Sequence, residues 1–250
     1  MTIRTVTSNG VATIEIARPE KKNALTQAMY TAMSEAIAAA DADAAVRAVL
    51  ITGQPGVFTS GNDLEDFMQR PPQASEDSPV FQFMQALVGC GKPVVAAVTG
   101  AAIGIGTTML LHCDLVYAAP DASFKVPFLD LGVVPEAASS VLLPRRIGRA
   151  RAGAAFFLGE ALDAQAALAG GIVTKVVDDA QLDAAAEAAA RTIAAKPREA
   201  ARAMKRLMNH DRDEISAAIR REGAIFGERL ASAETRAIMS AFFERAGTRA

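Results

Sequence analysis

Eighteen consecutive residues, Val94 to Leu111, carry no charge. That is close to the length needed to cross a bilayer as a helix. However, Gly100, Gly104 and Gly106 punctuate the run, and Thr99, Thr107 and Thr108 are polar. A buried strand, a glycine turn and a buried helix account for it better than a membrane span. Strand-like and helix-like segments alternate through the first two thirds of the chain. That alternation predicts an α/β core with parallel pairing and right-handed crossovers. With 51% apolar and 22% charged residues in 250 positions, the composition suits a globular protein with a large core.

Local signals fill in the order of elements. Ile3 to Val6 and Val11 to Ile16 read as strands joined at Ser8-Asn9-Gly10, a hairpin signal. Arg18 to Leu25 reads as a polar loop. Thr26 is a suitable N-cap for a helix to about Ala40. Ala45 to Thr52 reads as a buried strand, Gly53 to Asn62 as a loop, and Asp63 as the start of a short helix. Pro71 to Pro79 is proline-rich and acidic, which predicts a mobile surface loop. Val80 to Cys90 is helical and Pro93 to Val98 a strand. A glycine turn and a helix to about His112 follow. Leu115 to Ala118 and Ser123 to Val126 are short strands. Beyond Glu136 the chain is mostly helical, apart from a strand at Ile172 to Val177. The last 70 or so residues carry Ile215, Ile219, Phe226 and Leu230 at the spacing of one helical face.

Charge and cysteine content narrow the function classes. Net charge is −2, and no basic run is interleaved with aromatics, so nucleic acid is a poor partner. Cys90 and Cys113 lie far apart in apolar stretches without metal-ligand spacing, which reads as two buried thiols in a reducing compartment. No basic segment followed by an apolar run opens the sequence, and no peroxisomal tripeptide ends it. The expectation is a cytoplasmic protein with no metal.

Three segments could hold a reaction centre. Val133-Val134-Pro135-Glu136-Ala137-Ala138-Ser139-Ser140 places a carboxylate at the start of a helix among apolar and small residues. Glu136 there is either a general base or an acid suited to the helix dipole. Phe58-Thr59-Ser60-Gly61-Asn62-Asp63-Leu64 runs from small residues into a helix whose first N–H groups lack internal partners. Gly100-Ala101-Ala102-Ile103-Gly104-Ile105-Gly106-Thr107-Thr108 has the same character. It is not a dinucleotide fingerprint, because Met109 replaces the third glycine, and backbone N–H groups aimed at an oxyanion are the better reading. His112 and Asp114 invite a Ser-His-Asp triad, but no Gly-x-Ser-x-Gly elbow accompanies them, so a packed histidine is expected. Asp130 is expected to be structural or solvent-facing, and His210 exposed at a helix end. Arg145, Arg146, Arg149 and Arg151 are either a solvated helix end or a cluster that attracts phosphates or acidic partners.

The order of these pieces resembles the crotonase superfamily, the enoyl-CoA hydratase/isomerase family. The matching residues are Arg18-Pro-Glu-Lys-Lys-Asn-Ala-Leu25, Ile51-Thr-Gly with Phe58-Thr-Ser-Gly-Asn-Asp-Leu64, Lys92-Pro-Val-Val-Ala-Ala-Val-Thr-Gly100, Gly104-Ile-Gly106, Cys113-Asp114 and Leu131-Gly-Val-Val-Pro135. Ala241-Phe242-Phe243-Glu244-Arg245 is similar to the family's closing helix. The resemblance implies a spiral of β-β-α units with a C-terminal helical trimerisation region. It implies a core of 1–190 carrying an acyl-CoA site and a helical region of 191–250 packing on the core and on neighbouring subunits. It also implies a homotrimer or dimer of trimers. Coenzyme A would be part of the substrate, with no separate cofactor. The backbone N–H groups of Asn62 and Ile105 would hold the thioester oxygen. Lys22, Ala24, Leu25, Ser60, Gly61, Asp63, Leu64 and Gly104 would line the CoA and substrate site.

Hydratases of this family carry two catalytic glutamates, and Thr108 and Phe128 stand at those positions here. Glu136 stands where they have glycine. The Ser-Gly-Asn-Asp-Leu and Pro-Glu-x-x-Ser-Ser stretches are similar to peroxisomal-type Δ3,Δ2-enoyl-CoA isomerases. In those, one glutamate moves a proton from C2 to C4. Phe128, Leu131 and Val134 would keep the pocket apolar, and Phe67 and Phe83 would bear on acyl length. A hydratase, a thioester hydrolase, or a non-catalytic acyl-CoA-binding scaffold are the alternatives.

Overall fold

Asn9 and Gly10 both take left-handed backbone, with φ of 51° and 78°. This is the turn that matches strand twist, and it closes β1 (Ile3–Ser8) onto β2 (Val11–Ile16) as an antiparallel hairpin. The computed structural model describes residues 2–69 and 76–247, with the side chains of 242, 243 and 245–247 excepted. Residues 70–75 of the proline-rich segment, and the side chains of Phe242 and Phe243, lie outside the described part. After the hairpin come α1 (Gln27–Ala42), β3 (Ala48–Thr52), β4 (Val57–Thr59), α2 (Leu64–Gln69) and α3 (Pro79–Gly89). Then follow β5 (Val94–Val98), β6 (Ala101–Ile103), α4 (Ile105–Thr108), β7 (Leu115–Ala118) and β8 (Ser123–Lys125). The chain continues through α5 (Ser139–Ile147), α6 (Arg149–Phe157), β9 (Leu162–Asp163), α7 (Ala164–Ala169), β10 (Lys175–Val176) and α8 (Asp179–Ala194). It closes with α9 (Arg198–Met208), α10 (Arg212–Ala231) and α11 (Ala233–Gly247).

Two sheets share the strands. One has the order β1-β2-β3-β5-β7-β10 and is parallel from β2 onward. The other has the order β4-β6-β8-β9, with β4, β6 and β8 parallel. The pairs β3–β4, β5–β6 and β7–β8 each give one strand to each sheet, so the chain advances as a spiral of strand-strand-helix turns. Parallel strands covered on both faces should be apolar throughout. In β5 the alternation serves both sides: Val94, Ala96 and Val98 join one core, while Val95 and Ala97 join a second core under α8.

The structure departs from the sequence reading in places that matter for the site. The segment 53–62 contains a strand, β4, and the glycine turn contains another, β6. Both are three residues long, too short to show a period of two. The helix expected through His112 is a single α-turn, α4, continued as a 3₁₀ turn over Met109–His112. Glu136 is not in a helix. Ala137 and Ala138 follow it in left-handed backbone, with φ of 56° and 57°, and α5 begins only at Ser139. Non-glycine residues held there store local strain, which gathers at functional sites.

Candidate active site

Asn62 and Ile105 sit just beyond the C-terminal ends of the adjacent parallel strands β4 and β6. Leu25 forms a parallel bridge with Asn62. The Leu25 N–H donates to the Gly61 carbonyl at 2.8 Å, and the Asp63 N–H donates to the Leu25 carbonyl at 2.8 Å. In that pattern the flanking residues take the bonds, and the N–H of Asn62 points away from Leu25. Gly61 has φ 91°, and a Cβ there would lie 2.8 Å from the Ile103 carbonyl oxygen, so the two loops touch. Gly104 has φ 57°; its N–H donates to the Lys125 carbonyl at 2.8 Å, and its own carbonyl accepts from Thr107 and Thr108. Ile105 then opens α4, where an N–H has no acceptor within the helix. A Cβ on Gly106 would lie 2.6 Å from Thr59 Cγ2, so glycine is needed to seat α4 on β4. Asn62 and Ile105 both line one open cleft of about 870 Å³. Two amides on touching loops at one cleft are suited to a developing oxyanion.

Glu136 lines a second, smaller cavity of about 230 Å³, whose wall it shares with Asn62 and Phe67. Asn62, Phe67 and Phe226 belong to both cavities and mark where they join. Glu136 is only 6% exposed. Its Oε1 accepts a hydrogen bond of 2.5 Å from the Thr108 hydroxyl, and its Oε2 is buried with no partner among the described residues. Burial pushes the Glu136 carboxyl up to about 8. The Thr108 hydroxyl opposes that rise, and the nearby charge of Glu222 adds to it. A carboxyl of that affinity is well matched to proton transfer near neutral pH.

The turn that carries Glu136 is held from two sides. His112 Nε2 lies 2.8 Å from the Ala137 carbonyl oxygen. Burial drives this imidazole down to about 4, so it is neutral and Nε2 carries the donated proton. On the other side, Glu222 of α10 accepts from the Ser140 N–H at 3.0 Å and from the Ser140 hydroxyl. Ala138 offers no side-chain cap to α5, and Glu222 takes that place. The acid at this helix start is therefore Glu222. The dipole reading of Glu136 fails because Glu136 lies upstream of two left-handed residues. Glu222 was missed; the available signal was a lone acid on the apolar stripe of Ile215, Ile219 and Phe226.

The cleft brings together Ser60, Gly61, Asn62, Leu64, Gly104 and Ile105. Lys22, Ala24, Leu25 and Asp63 stand behind this wall rather than in it. Leu25 is fully buried. Asp63 pairs with Arg18 at 2.6 Å and caps α2 through the N–H groups of Glu65 and Asp66. Partial burial pushes its carboxyl up, but Arg18 and these amides hold it below the usual carboxylate range. The Ala24 carbonyl receives Arg18 Nη1, and the carbonyl of the exposed Lys22 receives the Ser60 N–H. Between them, Asn23 is the staple. It is fully buried, with its Nδ2 on the Val57 and Phe58 carbonyls and its Oδ1 on the Arg18 N–H.

Phe128 and Leu131 line the cleft as expected, with Val133 in place of Val134. Phe67 lines both cavities, whereas Phe83 lines neither and packs on Tyr30 with ring centroids 5.5 Å apart. The fully buried Tyr30 donates its hydroxyl proton to Asn62 Oδ1. Asp114 is structural, accepting from the Val94 N–H at 2.7 Å and from the buried Lys205 at 2.8 Å. Asp130 is exposed on the cleft rim near Lys125. Arg145 pairs with Asp211 and Glu214, and Arg146 reaches the carbonyls of Leu111 and Gly171. These two arginines tie α5 to its surroundings. His210 is exposed, and both cysteines are buried and free. Among the described residues no helix is long and apolar enough to cross a membrane.

The sequence pattern of the enoyl-CoA hydratase/isomerase family matches residues 6–249. The probable enoyl-CoA hydratase echA8 of Mycobacterium leprae is 33% identical over 236 residues, covering 94% of this chain and 92% of that protein. Human enoyl-CoA delta isomerase 2 is 37% identical over 184 residues, 71% of this chain but only 46% of that longer protein. The crystal structure of an enoyl-CoA hydratase/isomerase from Pseudoalteromonas atlantica superposes with a TM-score of 0.93 at 42% identity, covering 98% of each chain.

Proposed function

Because this chain belongs to the enoyl-CoA hydratase/isomerase family, we propose that its reaction is the Δ3,Δ2 isomerisation of an enoyl-CoA by a single carboxylate. The observation that carries this reading is the position of Glu136. Among the described residues it is the one buried carboxylate that lines either cavity, since Asp130 and Glu76 are exposed. At the two places where the resemblance puts hydratase glutamates stand Thr108 and Phe128. Adding water across a double bond needs one group to activate the water and another to protonate C2. Moving a double bond needs only one group that takes a proton and returns it.

In this reading the thioester lies in the cleft with its oxygen between the N–H groups of Asn62 and Ile105. Glu136 removes a proton from C2 of a 3-enoyl thioester, forming a dienolate. The negative charge moves onto the thioester oxygen and is held by the two amides. The protonated Glu136 then delivers the proton to C4, leaving the double bond between C2 and C3. Phe128, Leu131 and Phe226 exclude water from the dienolate. Family resemblance adds an assembly of three or six copies to the proposal; the exposed Met204, Leu207 and Met208 support it.

The test is a direct comparison of two rates for the purified protein. Isomerisation of 3-hexenoyl-CoA should exceed hydration of crotonyl-CoA by about 10²-fold or more, the weight of one placed proton-transfer group. Equal rates would favour a hydratase.

A further inference from the structure

Helix α10 contains Gly223 and Gly227, four residues apart and well inside a helix of 20 residues. Glycine inside a helix weakens it relative to alanine, so two on one face set a local rule aside. A helix glycine often admits a closely approaching backbone. Gly223 does not serve that purpose, because among the described residues a Cβ placed there meets no atom within 4 Å beyond its own helix. Gly223, Ala224 and Gly227 line the smaller cavity beside Ile219, Arg220 and Phe226 of the same helix, and Glu136 lines it too. Phe67, Val80, Phe81 and Met84 give the cavity apolar wall, and Asn62 and Ser78 add polar groups. Glu76 and Arg220, both half-exposed or more, also line it and stand 3.9 Å apart. An alkyl chain gains nothing by passing that charged pair.

The volume sets the size of the occupant. An apolar cavity of about 150 Å³ takes benzene, so about 230 Å³ takes roughly six to nine carbons. We infer that Gly223 and Gly227 are specificity-determining residues, which hollow α10 to admit an acyl group of medium length in preference to a four-carbon one. This rests on the acyl-CoA reading of the site and adds the substrate class.

The test measures binding, so it does not depend on which reaction the enzyme performs. Isothermal titration of the full-length protein with saturated butyryl-CoA and octanoyl-CoA should show octanoyl-CoA binding at least about tenfold tighter. Full burial is worth about fourfold per methylene, and four methylenes separate the two ligands. In Gly223→Leu the octanoyl advantage should fall to about threefold or less, with butyryl-CoA affinity unchanged, because the leucine occupies the space of the distal methylenes. Ala224→Leu fills the same wall and serves if circular dichroism shows Gly223→Leu unfolded. Equal affinities in the unmodified protein, or variants that keep the full octanoyl preference, would overturn the inference. The unmodified series decides it even if neither variant folds. An absence of isomerase activity would leave this result standing, and a failed preference would leave the isomerase proposal standing.

Discussion

The hydroxyl of Thr108 donates to Oε1 of Glu136, across 28 residues of sequence and inside the fully buried part of the site. By the family resemblance, Thr108 stands where hydratases carry a glutamate. Here that position supports the remaining carboxylate instead of supplying a second one. A donor to the ionised form lowers proton affinity. It opposes the burial that raises Glu136, and so helps keep the proposed base usable near neutral pH.

Replacing that donor should therefore move the pH profile. In Thr108→Val the limb of kcat/KM governed by Glu136 shifts to higher pH. Activity at pH 7 falls by about tenfold, the scale of a hydrogen bond to a charged group. At high pH the variant should approach the rate of the unmodified enzyme. A uniform loss at every pH would mean that Thr108 acts on packing and not on the proton.

The unmodified enzyme should show a limb near pH 8. Glu136 must be ionised to accept the first proton, so kcat/KM should rise with pH below about 8 and level off above it. Stability should run the other way. The folded protein binds this proton more tightly than the unfolded chain does, since the carboxyl is raised from 4.5 to about 8. The corresponding stability is complete below about pH 4.5 and is lost as pH rises through 8. Glu136→Gln should therefore gain in melting temperature relative to the unmodified protein as pH rises from 5 to 8. Thermal melts at several pH values check this, and a constant difference would contradict it.

Gly61→Ala tests the anion site. The added Cβ would sit 2.8 Å from the Ile103 carbonyl oxygen in a backbone that disfavours side chains. The loop must shift, and the Asn62 N–H with it. Loss of one oxyanion donor costs about 10²–10³-fold in kcat. Steady-state kinetics with 3-hexenoyl-CoA check this; a loss expressed only in KM would place the N–H elsewhere.

Asn23→Ala tests the staple behind the cleft. Three carbonyl or amide partners in a buried environment would lose their bonds. Unfolding free energy should fall by about 2–4 kcal/mol. Denaturant titration checks this, and a change within 0.5 kcal/mol, about that of a surface substitution, would assign the loop's order to other contacts.

The sequence made the long-range order legible because the strong signals were local. Asn9-Gly10 dictated a hairpin, Thr26 capped α1 through the Met29 N–H, and the charge-free run held a buried strand. The three-residue strands β4 and β6 were not legible, because they are defined by their partners and not by a pattern of their own. Glu136 was legible as a carboxylate among apolar and small residues, but its backbone setting and its partners were not. The left-handed Ala137 and Ala138 gave no composition signal, since alanine is an ordinary helix former. Glu222 and Thr108 reach Glu136 or its turn from distant segments, and only the spiral brings them together. The residues expected around the cleft divide in the structure, some lining it and others building the loop beside it. Leu25 and Asp63 sit in the matching motif because they build the loop, while Ser60 and Leu64 face the cleft.

The most direct measurement is the rate of Glu136→Gln with 3-hexenoyl-CoA, alongside its affinity for octanoyl-CoA. Glutamine keeps the shape of the side chain but cannot take the C2 proton. The account predicts a loss of about 10³-fold or more in kcat with acyl-CoA affinity unchanged, as expected for a group that acts only in the transition state. A variant that isomerises within about tenfold of the unmodified rate, less than one placed proton-transfer group contributes, would show that the proton moves through another group.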